Sequence, residues 1–160
     1  MDALTLLHEG HERVRELFAH YDESPDRRDA ISEEVCIALS AHTQIEEELF
    51  YPAAQEHIAG GGLVEEARVE HDSVRQLISK LQSGLLDDAA RDATFHVLAR
   101  MVEQHIEQEE QKLFVEVRGS DLDLDELGGK MRAQHDELLQ HPVLTQGQHS
   151  TARRSHEPAS

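Results

Sequence analysis

Apolar residues recur along this chain at alternating gaps of three and four, the spacing that places them on one face of an α-helix. Leu4, Leu7, His11, Val14, Phe18 and Tyr21 trace such a face and predict a first helix from about Asp2 to Tyr21, broken at Ser24-Pro25-Asp26. A second begins near Asp29 or Ser32, carries Ile31, Val35, Ala38, Leu39, His42, Ile45, Glu46, Leu49 and Ala53, and ends before Gly60-Gly61-Gly62. The third, from about Leu63 to Leu85, shows Val64, Ala67, His71, Val74, Ile78 and Leu81. The fourth, from about Asp88 to Val117, shows Phe95, Leu98, Val102, His105, Glu109 and Leu113. Four long amphipathic helices with short connections predict an all-α, antiparallel up-down-up-down four-helix bundle. A shorter helix from about Leu124 to Leu139, with Leu127, Met131 and Leu138 as its apolar face, is expected on the outside of the bundle or across one end. After Pro142 there is little left to bury, which predicts a loose tail. The expected division is therefore 1-118 for the bundle, 119-141 for the accessory helix and 142-160 for the tail.

Composition narrows the picture. The 160 residues suffice for one domain with its own core. Aromatic residues are 4% and Trp is absent, which is lean for strands and suits helices. Fifteen basic against 33 acidic residues give a formal charge of -18, which argues against nucleic acid and anionic membrane surfaces as partners. No uncharged apolar run is long enough to span a bilayer. The single Cys36, in an apolar run, excludes an intramolecular disulfide and suggests a reducing compartment. No signal-peptide pattern opens the chain, so a cytoplasmic location is expected. Twelve His remain as the one hint of chemistry.

The seams that should be apolar are not wholly so. Each of the four main stripes contains one His: His11, His42, His71 and His105. Two add a carboxylate one turn on, Glu46 and Glu109, and residues four apart lie on one face roughly 5–6 Å apart. A lone His on an apolar face is ordinarily a satisfied core residue. Four such positions, two with Glu at the same spacing, are not accounted for in that way, because buried ionised carboxylates are expensive unless paired or metal-bound. The doublets Glu33-Glu34, Glu47-Glu48, Glu65-Glu66 and Asp87-Asp88 read instead as solvated faces, and His20, His57, His96, His135, His141, His149 and His156 as surface or tail residues. His8, at the edge of the first stripe, reads as supporting or surface rather than ligating.

These residues resemble the hemerythrin-like, or HHE cation-binding, family. The resemblance is carried by Leu6-Leu7-His8-Glu9-Gly10-His11, by His42 to Glu46 with Phe50-Tyr51-Pro52 behind it, by Glu70-His71-Asp72 and by His105 to Glu109 with Leu113-Phe114 behind it. It covers about residues 3 to 117, and the downstream helix looks like the extension of some actinobacterial members. It implies a bundle around two non-haem iron ions joined by an oxo or hydroxo bridge, with His11, His42, Glu46, His71, His105 and Glu109 as ligands. Oxygen carriers of the family have a second His one turn after that of the third helix, and here Arg75 stands there. Either Glu109 or Glu110 could supply the acid of the fourth helix, and the stripe favours Glu109. Tyr51 is a candidate for the missing ligand because a phenolate suits ferric iron. It lies five residues past Glu46, off the ideal helical face, although Pro52 could distort that turn.

Imidazole and carboxylate suit iron, manganese or zinc, and the lack of thiolates excludes an iron–sulfur cluster. Two octahedral metals need about twelve ligand positions, of which this set and a bridging oxygen leave about two open. The expected ligand is a small diatomic or peroxide, and no protein partner can be read. An incomplete oxygen-carrier set favours an enzyme that decomposes peroxide or uses it to oxidise NO. The alternatives are a non-catalytic binder or sensor of O2, NO or iron, and an interaction protein that binds no transition metal.

Overall fold

Asp2 starts the first helix by accepting the Thr5 N–H on its carboxylate at 2.8 Å, and α1 runs over Ala3–Glu23. The structure, a computed structural model, describes residues 1–140, so the expected tail lies outside the described residues. Pro25 opens a single 3-10 turn, Pro25–Arg27, which feeds α2 (Arg28–Ile45). Gly62, at φ 94°, sits in the left-handed region just before α4 (Leu63–Gln82). Asp87, exposed as expected, also caps α5 (Asp88–Gln108) by accepting the Ala90 N–H at 2.8 Å. No strand occurs among the described residues, and no helix there is long and apolar enough to cross a membrane.

Both rods that carry a His-x-x-x-Glu unit leave α geometry at the Glu. Glu46–Phe50 and Glu109–Leu113 are π-helical turns, in which the Tyr51 N–H reaches the Glu46 carbonyl and the Phe114 N–H reaches that of Glu109. Beyond them the rods resume as α3 (Tyr51–His57) and α6 (Phe114–Arg118). One residue is added per turn, so the face rotates downstream. The expected face over Leu49 and Ala53 gives way to Phe50, Tyr51 and Ala54, which are buried while Leu49 and Ala53 are only partly so. In α1 the buried residue is Leu17 rather than Phe18, which packs edge-on against Phe95 at 5.7 Å.

The core falls into two apolar layers. One joins Leu4, Leu7, Phe50, Ala67, Phe114 and Leu127. The other joins Val14, Tyr21, Leu39, Val74, Phe95 and Val102. Three of the stripe His lie between the layers in sequence: His11 between Leu7 and Val14, His42 between Leu39 and Ile45, His71 between Ala67 and Val74. Burying such layers is the main stabilising term, at about 25 cal/mol per Å² of apolar surface. At the far end of the second layer Tyr21 stacks on Phe95 and donates to Asp92, which also holds Arg28 at 3.0 Å.

The fifth long helix, α7 (Leu124–Gln140), packs on α1 and α2. Leu127 and Met131 are buried in the first layer and Leu138 is partly buried against it, the face the periodicity predicts. Close approach to the start of α1 depends on Gly128, where a Cβ would fall 2.7 Å from the Ala3 nitrogen.

Candidate metal centre

The gap between the apolar layers is filled by polar side chains from four rods. α1 supplies His11, α2 supplies His42 with Glu46 at its end, α4 supplies His71, and α5 supplies His105 with Glu109 at its end. Glu46 Oε1 lies 3.4 Å from His42 Nε2 and 3.2 Å from His71 Nε2. Glu109 lies 3.2 Å from His11 Nε2 through Oε1 and 3.3 Å from His105 Nε2 through Oε2. The atoms form two clusters with donors within 4.8 Å of one another: His11, His42, Glu46 and Glu109, and then Glu46, His71 and His105. All are buried except His42, whose side chain is 12% exposed.

Tyr51 joins the same group. The π turn brings it round, so that its hydroxyl donates to Glu109 Oε2 at 2.7 Å and lies 3.1 Å from His71 Nε2. In an unbroken α-helix a residue five past Glu46 would point elsewhere, because each residue turns the face by about 100°. Phe114 holds the equivalent place after Glu109 and stacks near His11, with ring centroids 6.0 Å apart.

Behind three of the imidazoles stand carboxylates. Glu110 meets His11 Nδ1 at 2.6 Å, Glu47 meets His71 Nδ1 at 2.9 Å and Glu70 meets His105 Nδ1 at 2.7 Å. A carboxylate at Nδ1 keeps the proton there and turns the Nε2 lone pair inward. Glu47, expected on a solvated face, is thus a supporting residue, and Arg75 holds it in turn while pairing with Asp72 at 2.9 Å. Glu110 faces His8 at 2.8 Å as well as His11, so the inward acid of this rod is Glu109. Sequence reasoning gave Glu70 no role, although it stands in the segment Glu70-His71-Asp72. The available signal was the doublet Glu-Glu closing both His-x-x-x-Glu units, which marks Glu47 and Glu110 but not Glu70. Of the other His, His20 and His57 are exposed and His96 pairs with Asp22 at 2.7 Å, while His141, His149 and His156 lie outside the described residues.

Several of the enclosed atoms have no hydrogen-bond partner among the described residues: His11 Nε2, His42 Nε2, both Glu46 oxygens and Glu109 Oε1. Unpartnered buried polar atoms cost several kcal/mol in total, at about 1–3 kcal/mol each. They converge on one spot, and a cation there would satisfy them together, so the residues fit a metal. Without metal, burial and the Glu109 charge push the Glu46 carboxyl well up. Burial also acts on Glu109, but the facing His105 and His11 imidazoles outweigh it and hold that carboxyl well down. His105 is likewise opposed by burial, yet Glu109 and Glu70 raise it to about 11. Burial lowers both His42 and His71. Cys36 is buried in the second apolar layer and belongs to neither cluster, so the donors are nitrogen and oxygen only.

A cavity of about 20 Å³ opens beside these donors toward the second layer, walled by Val14, Leu39, Val74 and Val102 among others. That is room for a molecule the size of water or little more.

Comparison with known proteins bears on the part of the chain that carries these residues. The family model described as the Hemerythrin HHE cation binding domain matches residues 2–117. The uncharacterized protein Rv2633c of Mycobacterium tuberculosis and the uncharacterized protein Mb2666c of Mycobacterium bovis are each 29% identical over 155 residues, covering 91% of this chain and 92% of theirs. A crystal structure of a Hemerythrin HHE cation binding domain-containing protein, the Rv2633c homolog from Mycobacterium kansasii, superimposes with a TM-score of 0.76 at 27% identity. It covers 96% of this chain and 98% of that one.

Proposed function

Because the chain belongs to the Hemerythrin HHE cation binding domain family, we propose that it holds two non-haem iron ions between its helices and reacts there with small oxidants. Peroxide decomposition, or the use of peroxide to oxidise NO, is the favoured activity. The observation that carries this reading is the set of enclosed, unpartnered nitrogens and oxygens converging from four rods. His11, His42, His71 and His105 would bind through Nε2, and Glu46 and Glu109, each between two imidazoles, would bridge. Tyr51 is the seventh candidate ligand. We also read the four long rods as running alternately up and down, because short loops join neighbours that pack together. The lone buried thiol of Cys36 fits a reducing, cytoplasmic setting.

Iron bound here would supply one-electron redox chemistry to a small ligand. The protein's own part is positioning and exclusion. Glu47, Glu70 and Glu110 fix three imidazoles by their Nδ1 protons. Tyr51 keeps its phenol proton on Glu109 while the centre is metal-free, since burial, followed by the Glu109 charge, pushes the hydroxyl well above its usual range. The apolar cavity wall admits a diatomic or peroxide and refuses an organic substrate. Arg75, in place of a further imidazole, acts on the centre only through Glu47.

The deciding experiment is metal analysis with an absorption spectrum, followed by turnover assays. Two irons per chain and many turnovers of hydrogen peroxide, alone or with NO, are expected. Iron with strictly stoichiometric reaction leaves a reversible binder or sensor. A colourless chain indifferent to chelator removes the metal reading altogether. A longer-wavelength phenolate band that vanishes in Tyr51→Phe would identify Tyr51 as a ligand.

A further inference from the structure

The two halves of the centre repeat each other, and they differ at one position. His11 corresponds to His71, and the unit His42-Glu46-Glu47 corresponds to His105-Glu109-Glu110. In both halves the second Glu of the doublet braces the stripe His of another rod: Glu47 on His71 at 2.9 Å, Glu110 on His11 at 2.6 Å. In one half the residue before the stripe His braces the remaining imidazole: Glu70, before His71, takes His105 Nδ1 at 2.7 Å. The counterpart of Glu70, before His11, is Gly10.

Gly10 stands where that carboxylate would be. A Cβ built on it would lie 2.7 Å from His42 Nδ1 and 3.0 Å from His42 Cε1. The backbone of α1 therefore lies directly on the Nδ1 edge of His42, and Gly10 brings no side chain to cover it. His42 has no carboxylate at Nδ1 among the described residues, unlike the other three imidazoles. Its Nε2 is enclosed, so the 12% of the side chain that is exposed belongs to the rest of the ring and its stem. The cavity beside the centre confirms the asymmetry. Every residue lining it is buried except Gly10 and His42. A smaller cavity of about 10 Å³ touches His105 and Glu109 on the other side, but there Glu70 is fixed to His105 and Gln108 donates to Glu66 at 2.7 Å.

The geometry points to the Gly10–His42 contact as the portal of the centre, with His42 the imidazole that yields as metal and small ligands pass. The inference rests on the proposed iron centre. His42 suits the role because it is the one imidazole held from the metal side alone. A ligand without a brace at its second nitrogen loses orientation more easily than one with it.

The test uses metal-free protein mixed anaerobically with ferrous iron, followed by transfer of the loaded protein into a strong chelator. Gly10→Ala is expected to slow both uptake and release about tenfold, a barrier higher by about 1.4 kcal/mol. Final iron content should be unchanged. Gln108→Ala, on the smaller cavity, should leave both rates at the wild-type values. Wild-type rates in Gly10→Ala, or altered rates in Gln108→Ala alone, would overturn the portal. So would a lower final content in Gly10→Ala with unchanged rates, because that is the mark of a purely structural glycine. A wild-type chain that takes up no iron would sink the metal reading rather than this one. A second measurement needs no variant: diethyl pyrocarbonate on metal-free wild-type protein, mapped by mass spectrometry, should modify His42 before His11, His71 and His105. Modification of His42 no faster than of the braced three would overturn the portal.

Discussion

The phenol of Tyr51 meets two of the buried donors at once, 2.7 Å from Glu109 Oε2 and 3.1 Å from His71 Nε2. At this scale the six inward His and Glu were legible because each falls on a three-and-four stripe that should have been apolar. The braces were not. Glu47 lies next to Glu46, about 100° round the helix, and residue type does not separate a solvated carboxylate from one aimed at a neighbouring rod. Removing such a brace has a definite expected effect. Glu47→Ala should keep the fold but weaken iron retention on the order of 10–100-fold, measured by competition with a chelator. Unchanged retention would mean that His71 needs no orientation from behind. Cys36 carries an expectation of a different kind. Burial, aided by the charge of Glu33, raises its thiol from an ordinary 9.0 to about 12. The fold thus favours the neutral thiol; that stabilisation is complete below about pH 9 and is lost as pH rises toward about 12. Native protein at pH 8 should react with a disulfide reagent only as fast as it opens, whereas denatured protein should react at once.

Between residues and molecule, the two π turns decide what the rods present. Helix boundaries were readable from Pro25 and the triple Gly, since each acts locally, whereas the caps made by Asp2 and Asp87 were not read. The turns were not, because a five-residue step is invisible to a three-and-four pattern. Pro52 marked the first, as it has no N–H to return to Glu48 and so does not enforce the α register. No proline marks the second, at Glu109–Leu113. One Ala inserted after the exposed Glu48 would be a second extra residue in this turn and would rotate Tyr51 and Ala54 about 100° off the buried face. The loss should be on the order of 3–5 kcal/mol, as for emptying a large aromatic site. Thermal or denaturant unfolding checks this, and a melt within a degree of wild type would show that the turn absorbs the insertion.

For the whole molecule, the bundle halves stabilise a polar layer that the protein alone leaves unsatisfied. Apolar periodicity alone suffices to mark out rods and their buried faces, which is why the helices themselves were legible, α7 and its face of Leu127 and Met131 included. The accessory helix, expected on the outside of the bundle or across one end, is tied in through Leu127 and Met131, which share the core of the first layer. A ligand that binds only the folded form adds about 2.7 kcal/mol at a hundredfold excess over Kd. Loading with iron should therefore raise the melting temperature by roughly 5–10 °C, and chelation should reverse it. Equal melting with and without metal would remove the coupling between centre and fold.

The π turns also fix an arithmetic. His42 and Tyr51 are nine apart, as are His105 and Phe114, and nine residues of plain α-helix would set each pair on opposite sides of the rod. With one wide step inside the interval, both pairs share a side. The ring of Phe114 therefore occupies a vacant phenol berth next to His11, and Phe114→Tyr would turn a lopsided centre into a nearly two-fold one by adding a single oxygen.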